Sequence, residues 1–154
     1  MKLLLLSVGK PRDSAAAALH DLYAARIRGF GVEYEARWVK ETRPDGRYSD
    51  DHVREREGQA ILGKRPSAGN VIAVDPSGNL WSSDELAAAL ERWASPSAAF
   101  VVGGPLGLHR SVLAASDRVW SLSPLTFPHE IARALVAEQL YRAITILRGV
   151  PYHR

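Results

Sequence analysis

Hydrophobic and polar residues follow one another along this chain in blocks that predict strands alternating with helices. Short apolar runs are separated by longer stretches in which apolar residues recur at helical spacing. The predicted strands are 2–8, 32–39, 70–75, 98–102 and 118–120, and the predicted helices are 14–29, 49–62, 82–94, 110–115 and 128–148. This alternation predicts a mostly parallel sheet covered on both faces, in a single three-layer α/β domain that spans residues 1–154.

Local signals mark several ends of these elements. Ser82 and Glu85 have the spacing of a capping box, and Pro128 is suited to open the last helix. Residues 76–79 predict a turn that ends the third strand, and the polar segment 40–48 predicts a mobile loop. Binding sites usually lie in irregular segments of this kind, of which the last third of the chain has three.

Composition limits the class of protein. An apolar content of 46% and a charged content of 24% are ordinary for a soluble globular protein, and no apolar run approaches the ~20 residues of a membrane helix. The apolar start, residues 1–8, is interrupted by Gly9, Lys10 and Pro11, which favours a buried strand over a secretory signal. The absence of cysteine excludes disulfides and thiolate metal sites, and it agrees with a cytoplasmic location.

Charge is distributed unevenly along the chain. The net charge is +3, and residues 1–100 hold 14 basic and 14 acidic side chains, so the whole excess lies in residues 101–154. All six basic residues of that segment are arginines. Arginine suits phosphate binding and stacking on bases, which favours a nucleic-acid partner, although an excess of this size is also common among soluble proteins.

A glycine-rich loop, 103–107, follows the apolar run 100–102. Its backbone is therefore expected to approach a ligand at the carboxyl end of a buried strand, where open α/β sheets bind ligands. The loop lacks the spacings of a dinucleotide fingerprint and of a P-loop. A purely structural turn remains the alternative interpretation.

The segment 121–129 predicts a rigid wall of a binding site. It contains two prolines, which lower the cost of ordering a loop, and Leu125 and Phe127 are spaced to enclose an adenine ring. A stiffened connection into the last helix is the alternative.

Charged residues of the last helix fall at one-turn spacing. His129 resembles the start of a zinc motif, but Arg133 stands where the second histidine is needed, so no metal site is predicted. His129 with Arg133, and Glu138 with Arg142, share a helix face, and solvated pairs are the simplest account of both.

The chain ends in Tyr152, His153 and Arg154. These residues combine a stacking ring, a group that titrates near neutrality and a phosphate-binding fork, which together suit an RNA base. A frayed terminus without function is the alternative.

Taken together, 103–107, 121–129, 138–143 and 151–154 closely resemble the ribosomal RNA pseudouridine N3-methyltransferase family of the SPOUT superfamily. The resemblance implies S-adenosylmethionine as cofactor and a pseudouridine of 23S ribosomal RNA, on the assembled ribosome, as substrate. It also implies a C-terminal trefoil knot and a homodimer in which the tail of one subunit reaches the pocket of the other. Leu106 departs from relatives that carry a polar or acidic residue there.

The same resemblance implies roles for individual residues. The cofactor-binding candidates are Val74, Gly104, Ser123, Pro124, Leu125, Thr126, Phe127 and Pro128. The candidates for accepting the imide proton are His153, His129 and Glu138. The candidates for contacting the RNA are Arg133, Arg142, Tyr152, His153 and Arg154.

Two other functional classes are compatible with the residues alone. One is a non-catalytic ribosome-binding or translation-associated module that uses the arginine excess without a cofactor. The other is a flavodoxin-like enzyme or nucleotide-binding protein that holds a phosphate in the glycine loop. No lysine follows that loop and no phosphate motif is present, which disfavours the second class.

Overall fold

The structure, a computed structural model, describes residues 1–152. The predicted roles of His153 and Arg154 therefore lie outside the described residues. Five strands and five helices alternate within the described part: β1 (Lys2–Val8), α1 (Ser14–Gly29), β2 (Glu33–Val39), α2 (Asp50–Lys64), β3 (Asn70–Leu80), α3 (Ser83–Trp93), β4 (Ala98–Val102), α4 (Arg110–Ala114), β5 (Arg118–Ser121) and α5 (His129–Leu147).

The five strands form one sheet in the order β2-β1-β4-β3-β5, and all four pairings are parallel. Helices α1, α3 and α5 cover one face, and α2 and α4 cover the other. Leu5 and Leu6 of β1 pack into opposite faces, and each is fully buried, which contributes ~2 kcal/mol per side chain. The predicted three-layer α/β fold with a parallel sheet is confirmed.

The prediction that β3 ends at a turn is wrong. The strand continues to Leu80 through a bulge, so that Val74 and Asn79 both pair with Trp120. Inside the bulge, the Asp75 carboxylate accepts hydrogen bonds from the Ser77 amide at 2.9 Å and from its hydroxyl at 2.6 Å. A local turn thus forms without ending the strand.

The helix ends follow the predicted signals. The predicted Ser82–Glu85 capping box forms, and the Asp13 carboxylate accepts a 2.8 Å hydrogen bond from the Ala16 amide at the start of α1. Because all strands run in the same direction, the segments 9–13, 40–48, 103–109 and 122–128 emerge at the same edge of the sheet. This carboxyl edge holds both cavities described below.

Candidate active site

A cavity of about 340 Å³ opens at the carboxyl edge, near the ends of β3, β4 and β5. Its walls are residues 74–76, residues 102–108, most of residues 122–127, and two residues of α5, His129 and Ala132. The volume lies at the small end of the range of small-molecule sites, roughly 300–1,000 Å³. The site suits one compact ligand.

The glycine loop gives this cavity a wall made of backbone. The Gly107 amide donates a 3.0 Å hydrogen bond to the Gly104 carbonyl, and the two glycines form an isolated antiparallel bridge. A Cβ on Gly103 would lie 2.7 Å from the Gly107 carbonyl carbon, and Gly107 has a φ of +81°. Both positions therefore require glycine: a side chain at 103 would clash with the loop backbone, and one at 107 would be strained.

The segment 121–128 forms the facing wall and is held by its own hydrogen bonds. The Ser121 hydroxyl donates to the Ser123 carbonyl at 3.0 Å, and the Leu125 amide donates to the Ser123 hydroxyl at 3.0 Å. Leu125 is 69% exposed although it is a leucine that lines a cavity. Its apolar side chain is available for a ligand to cover.

The structure brings most of the predicted cofactor-binding residues together. The residues that line the cavity are Val74, Gly104, Ser123, Leu125, Thr126 and Phe127. Pro124 and Pro128 do not line it: both are exposed, and Pro128 is the N-cap residue of α5. Their binding role stays a prediction, and in the structure they shape the segment on either side of the lining residues.

The two described candidates for proton acceptor are far apart. His129 lines the cavity, whereas Glu138 lies nine residues further along α5, about 13–14 Å along its axis. Glu138 Oε1 accepts hydrogen bonds from Arg142 Nη2 at 2.7 Å and from the Tyr152 hydroxyl at 3.0 Å. Of these two described candidates, only His129 is positioned at the cavity.

Glu138, Arg142 and Tyr152 form a partly buried cluster with Tyr23. The Arg142 guanidinium lies 4.8 Å from the centre of the Tyr152 ring, and the Tyr23 and Tyr152 hydroxyls are 3.3 Å apart. Burial, together with the hydrogen bonds to Tyr23 and Glu138, raises the pKa of Tyr152. The cluster orders the last described residue of the tail against α5 and α1.

The simplest account of the charged residues on α5, as solvated pairs, holds only in part. Arg133 is only 6% exposed, and its Nη1 donates to the Gly9 carbonyl at 3.4 Å. Burial lowers the pKa of Arg133. The Glu138–Arg142 ion pair forms at 2.7 Å but is also partly buried. Arg133 thus binds the backbone directly after β1. Its contact with RNA stays a prediction.

Three residues at the site were not predicted. Gly9 ends β1 where a Cβ would lie 3.4 Å from Glu41 Oε2 and 3.7 Å from His129 Nε2. Asp75 lines the cavity directly after Val74, and its place at the end of the predicted strand was a usable signal. Glu57, in the middle of a charged helix, gave no signal.

Glu57 is 3% exposed and lies between α2 and the glycine loop. Its Oε1 accepts a 2.9 Å hydrogen bond from the Thr42 amide, whereas Oε2 has no partner within the described residues. A Cβ on Gly104 would lie 3.4 Å from that Oε2. Burial raises the pKa of Glu57, so the protonated form is favoured more than in water.

Two further properties concern the described residues only. No group of three or more His, Cys, Asp or Glu side chains is placed to hold a metal ion. None of the helices in residues 1–152 is long and apolar enough to span a bilayer.

Comparison with known proteins gives the family. The family described as "Predicted SPOUT methyltransferase" matches residues 1–153. A protein of Alkalilimnicola ehrlichii named ribosomal RNA large subunit methyltransferase H is 40% identical over 156 residues, covering 100% of this chain and 99% of its own. A Rhodospirillum rubrum protein of the same name is 39% identical, covering 100% and 99%.

The fold also matches a solved structure of low sequence identity. A probable methylase family protein from Haemophilus influenzae superposes with a TM-score of 0.53 at 13% identity, covering 99% of this chain and 70% of its own. The likeness shows a shared fold. The family model matches residues 1–153, and the named relatives are similar over their whole length. The predicted family is therefore confirmed: the chain belongs to the SPOUT methyltransferase family.

Proposed function

We propose that this chain transfers a methyl group from S-adenosylmethionine to large-subunit ribosomal RNA. The observation that carries the proposal is the cavity at the carboxyl edge, where a backbone wall at Gly104 faces the apolar Leu125 and Phe127. The relatives named ribosomal RNA large subunit methyltransferase H, similar along their whole length, support the choice of substrate.

The residues of the cavity fit the cofactor. Leu125 and Phe127 offer apolar surface for an adenine ring, and the spare backbone groups of both loops are suited to its polar edge. When bound, S-adenosylmethionine supplies a methyl group activated on a sulfonium, so the driving force for transfer comes from the cofactor. The chain then needs to orient the reactants, exclude water and accept a proton.

His129 is the proposed proton acceptor within the described residues. Methyl transfer to ring N3 of a pseudouridine would form an N–C bond, break the S–C bond of the donor and release the imide proton, which the His129 imidazole would accept and pass to solvent. The position of His129 at the cavity wall, on the first turn of α5, supports this role. Leu125 and Phe127 shield the reacting atoms from water.

The proposal includes a homodimer. Leu19 and Leu22 of α1 and Ile131 of α5 are exposed on the two helices that pack against each other, which favours a partner over these helices. The cluster of Glu138, Arg142 and Tyr152 is remote from the cavity of its own subunit. A two-fold axis near α1 and α5 brings this cluster toward the partner's cavity. We also propose that the C-terminal part of the chain forms the trefoil knot that the family resemblance implies.

The finer target is N3 of a pseudouridine in 23S ribosomal RNA, on assembled ribosomes in the cytoplasm. A net charge of +3 is too small to hold a bare hairpin tightly, so we expect ribosomal surface to contribute. Mass spectrometry of ribosomal RNA from cells with and without the gene tests the reaction. Loss of one methyl group from a pseudouridine is expected without the gene.

Purified ribosomes from the deleted strain complete the test. The protein and S-adenosylmethionine should restore the methyl group on ribosomes much faster than on protein-free RNA. An unchanged methylation pattern in the deleted strain, with no binding of the cofactor, would instead favour a non-catalytic ribosome-binding module.

A further inference from the structure

A second cavity, of about 640 Å³, opens at the carboxyl ends of β1 and β2. We call it the basic cleft. Its walls carry one carboxylate, Glu41, one large aromatic ring, Trp38, and five basic side chains, which are Lys10, Arg12, Lys40, Arg43 and Arg56. The cleft is thus a concave surface with an excess of positive charge, built from the part of the chain whose charges balance overall.

The positive charges of the cleft are not neutralised by the protein. Within residues 1–152, no carboxylate forms an ion pair with Lys10, Arg12, Lys40 or Arg43. Like charges gathered in a groove raise the local positive potential and attract an anionic partner. Solvated lysines and arginines on a convex face would not have this effect.

Trp38 gives the cleft a second property. It is 41% exposed on β2, although Tyr34 and Val39 of the same strand are buried. An exposed indole beside unpaired cations provides a stacking surface next to charge, which is the combination that single-stranded nucleic acids bind. An inorganic anion or a small phosphorylated metabolite needs neither five cations nor a cleft of this size.

The basic cleft adjoins the candidate active site at Gly9. A Cβ on Gly9 would contact both Glu41, which lines the cleft, and His129, which lines the cofactor cavity. The cleft therefore lies next to the proposed proton acceptor.

We propose that the basic cleft binds a single-stranded segment of RNA next to the target nucleotide. Lys10, Lys40 and Arg43 contact its phosphates, and Trp38 stacks on an unpaired base. The inference rests on the proposed function, because it deepens that function by naming a docking site for the same substrate. The contacts are to backbone and base faces, so they position the RNA without reading its sequence.

The test replaces three cations of the cleft with glutamine in the variant Lys10→Gln/Lys40→Gln/Arg43→Gln. The matched control replaces three exposed arginines of the opposite edge of the sheet, Arg65→Gln/Arg92→Gln/Arg118→Gln. Both triple variants lower the net charge equally. Only the first removes charge from the cleft.

Binding of a fluorescent single-stranded RNA is measured by anisotropy at several low salt concentrations. Each lost phosphate contact lowers the slope of log affinity against log salt by about 0.7, so the cleft variant should lose about 2 from this slope. The control should keep the slope of the wild type. With ribosomes as substrate, the cleft variant should raise KM at least tenfold relative to the control.

A second pair of variants tests the stacking. Trp38→Ala should weaken RNA binding about tenfold, since one base stacked on an aromatic ring contributes roughly 1–3 kcal/mol. Trp38→Phe should recover most of that loss. Titration with S-adenosylhomocysteine should give the wild-type affinity in all four variants, which shows that each is folded.

The outcomes separate this inference from the proposed function. If the wild type methylates ribosomal RNA but the cleft variant matches its control in salt slope and KM, the cleft is not the RNA site. If the wild type does not methylate ribosomal RNA, the proposed function fails, whatever the anisotropy shows. If a polyglutamate peptide competes with RNA at equal affinity and Trp38→Ala leaves RNA binding unchanged, the cleft takes an acidic protein segment instead.

Discussion

The two cavities at the carboxyl edge are built in different ways from the same sheet. The cavity proposed to bind the cofactor is formed mainly by residues 102–108 and most of residues 122–129, and one of its walls is the backbone of the glycine loop. The basic cleft is formed by long side chains from three separate segments, 10–12, 38–43 and the middle of α2. If both proposals hold, a compact ligand is matched by a wall of fixed backbone, whereas a flexible polyanion is matched by flexible basic side chains.

This difference predicts how each cavity responds to substitution. A wall of backbone has no spare room, so one added side chain closes the cavity. A cleft of separate cations loses affinity in steps, because each phosphate contact contributes independently. The variants below test this contrast, from the largest expected effect to the smallest.

The largest effect is expected for Gly104→Trp. A Cβ at Gly104 would already lie 3.0 Å from Val8 Cγ1, so an indole there must displace the glycine loop that lines the cavity. Calorimetric titration with S-adenosylmethionine should then show no heat of binding. Gly63→Trp is the matched control, because a Cβ at Gly63 meets no atom within 4 Å. Unchanged binding by Gly104→Trp would move the cofactor site elsewhere.

The next effect depends on the proposed sharing of sites between subunits. A chain that lacks residues 152–154 should bind the cofactor without catalysing transfer, and Gly104→Trp should have an intact tail but no pocket. Refolding the two together makes about half of the dimers mixed, and each mixed dimer has one complete site. Activity should therefore return to about a quarter of the wild type.

Native mass spectrometry of the refolded sample confirms that mixed dimers form. If each tail serves the pocket of its own subunit, neither site of a mixed dimer is complete. Activity near zero with mixed dimers present would contradict the shared site.

The contrast between the cavities also explains how much the sequence could predict. The helix caps, most of the strands and the two loops that line the first cavity follow from local signals, such as the Ser82–Glu85 spacing and the glycines of 103–107. No local signal predicts the basic cleft, because residues 1–100 have no net charge and their basic side chains come together only in the folded protein. The charge excess of residues 101–154 instead suggested a nucleic-acid contact in the last third of the chain.

Burial of charged residues was the other unpredicted property. The spacing of His129 and Arg133 indicates a shared helix face but not whether that face is covered. In the structure α1 and the end of β1 cover Arg133, which spacing on one helix cannot reveal. The β3 bulge is a similar case, since Pro76 and Gly78 suit either a terminal turn or an internal one.

An intermediate effect is expected for Leu125→Ala. Because Leu125 is 69% exposed, its removal should change the free energy of unfolding by less than about 0.5 kcal/mol. If the cofactor covers this side chain, its loss should weaken cofactor binding about tenfold. Leu80→Ala removes another exposed leucine that does not line the cavity. Equal affinities for the two variants would place the adenine away from Leu125.

The smallest effect concerns Glu57, the buried carboxyl group that lies between the two cavities. Because burial raises the pKa of Glu57, the folded protein holds this proton more tightly than the unfolded chain does. The stability that the protonated group gives is fully present below the unfolded pKa. It is lost as the pH rises from there through the raised pKa of the folded state.

Glu57→Gln keeps an acceptor for the Thr42 amide and removes the ionisation. Its free energy of unfolding, measured in urea at a series of pH values, should therefore rise relative to the wild type with increasing pH and then level off. Each unit of pKa difference corresponds to about 1.4 kcal/mol. Glu91→Gln, which removes an exposed carboxylate of α3 that forms no ion pair within residues 1–152, reports the change in net charge alone. A difference that falls with pH would show that a cation near Gly104 holds Glu57 ionised.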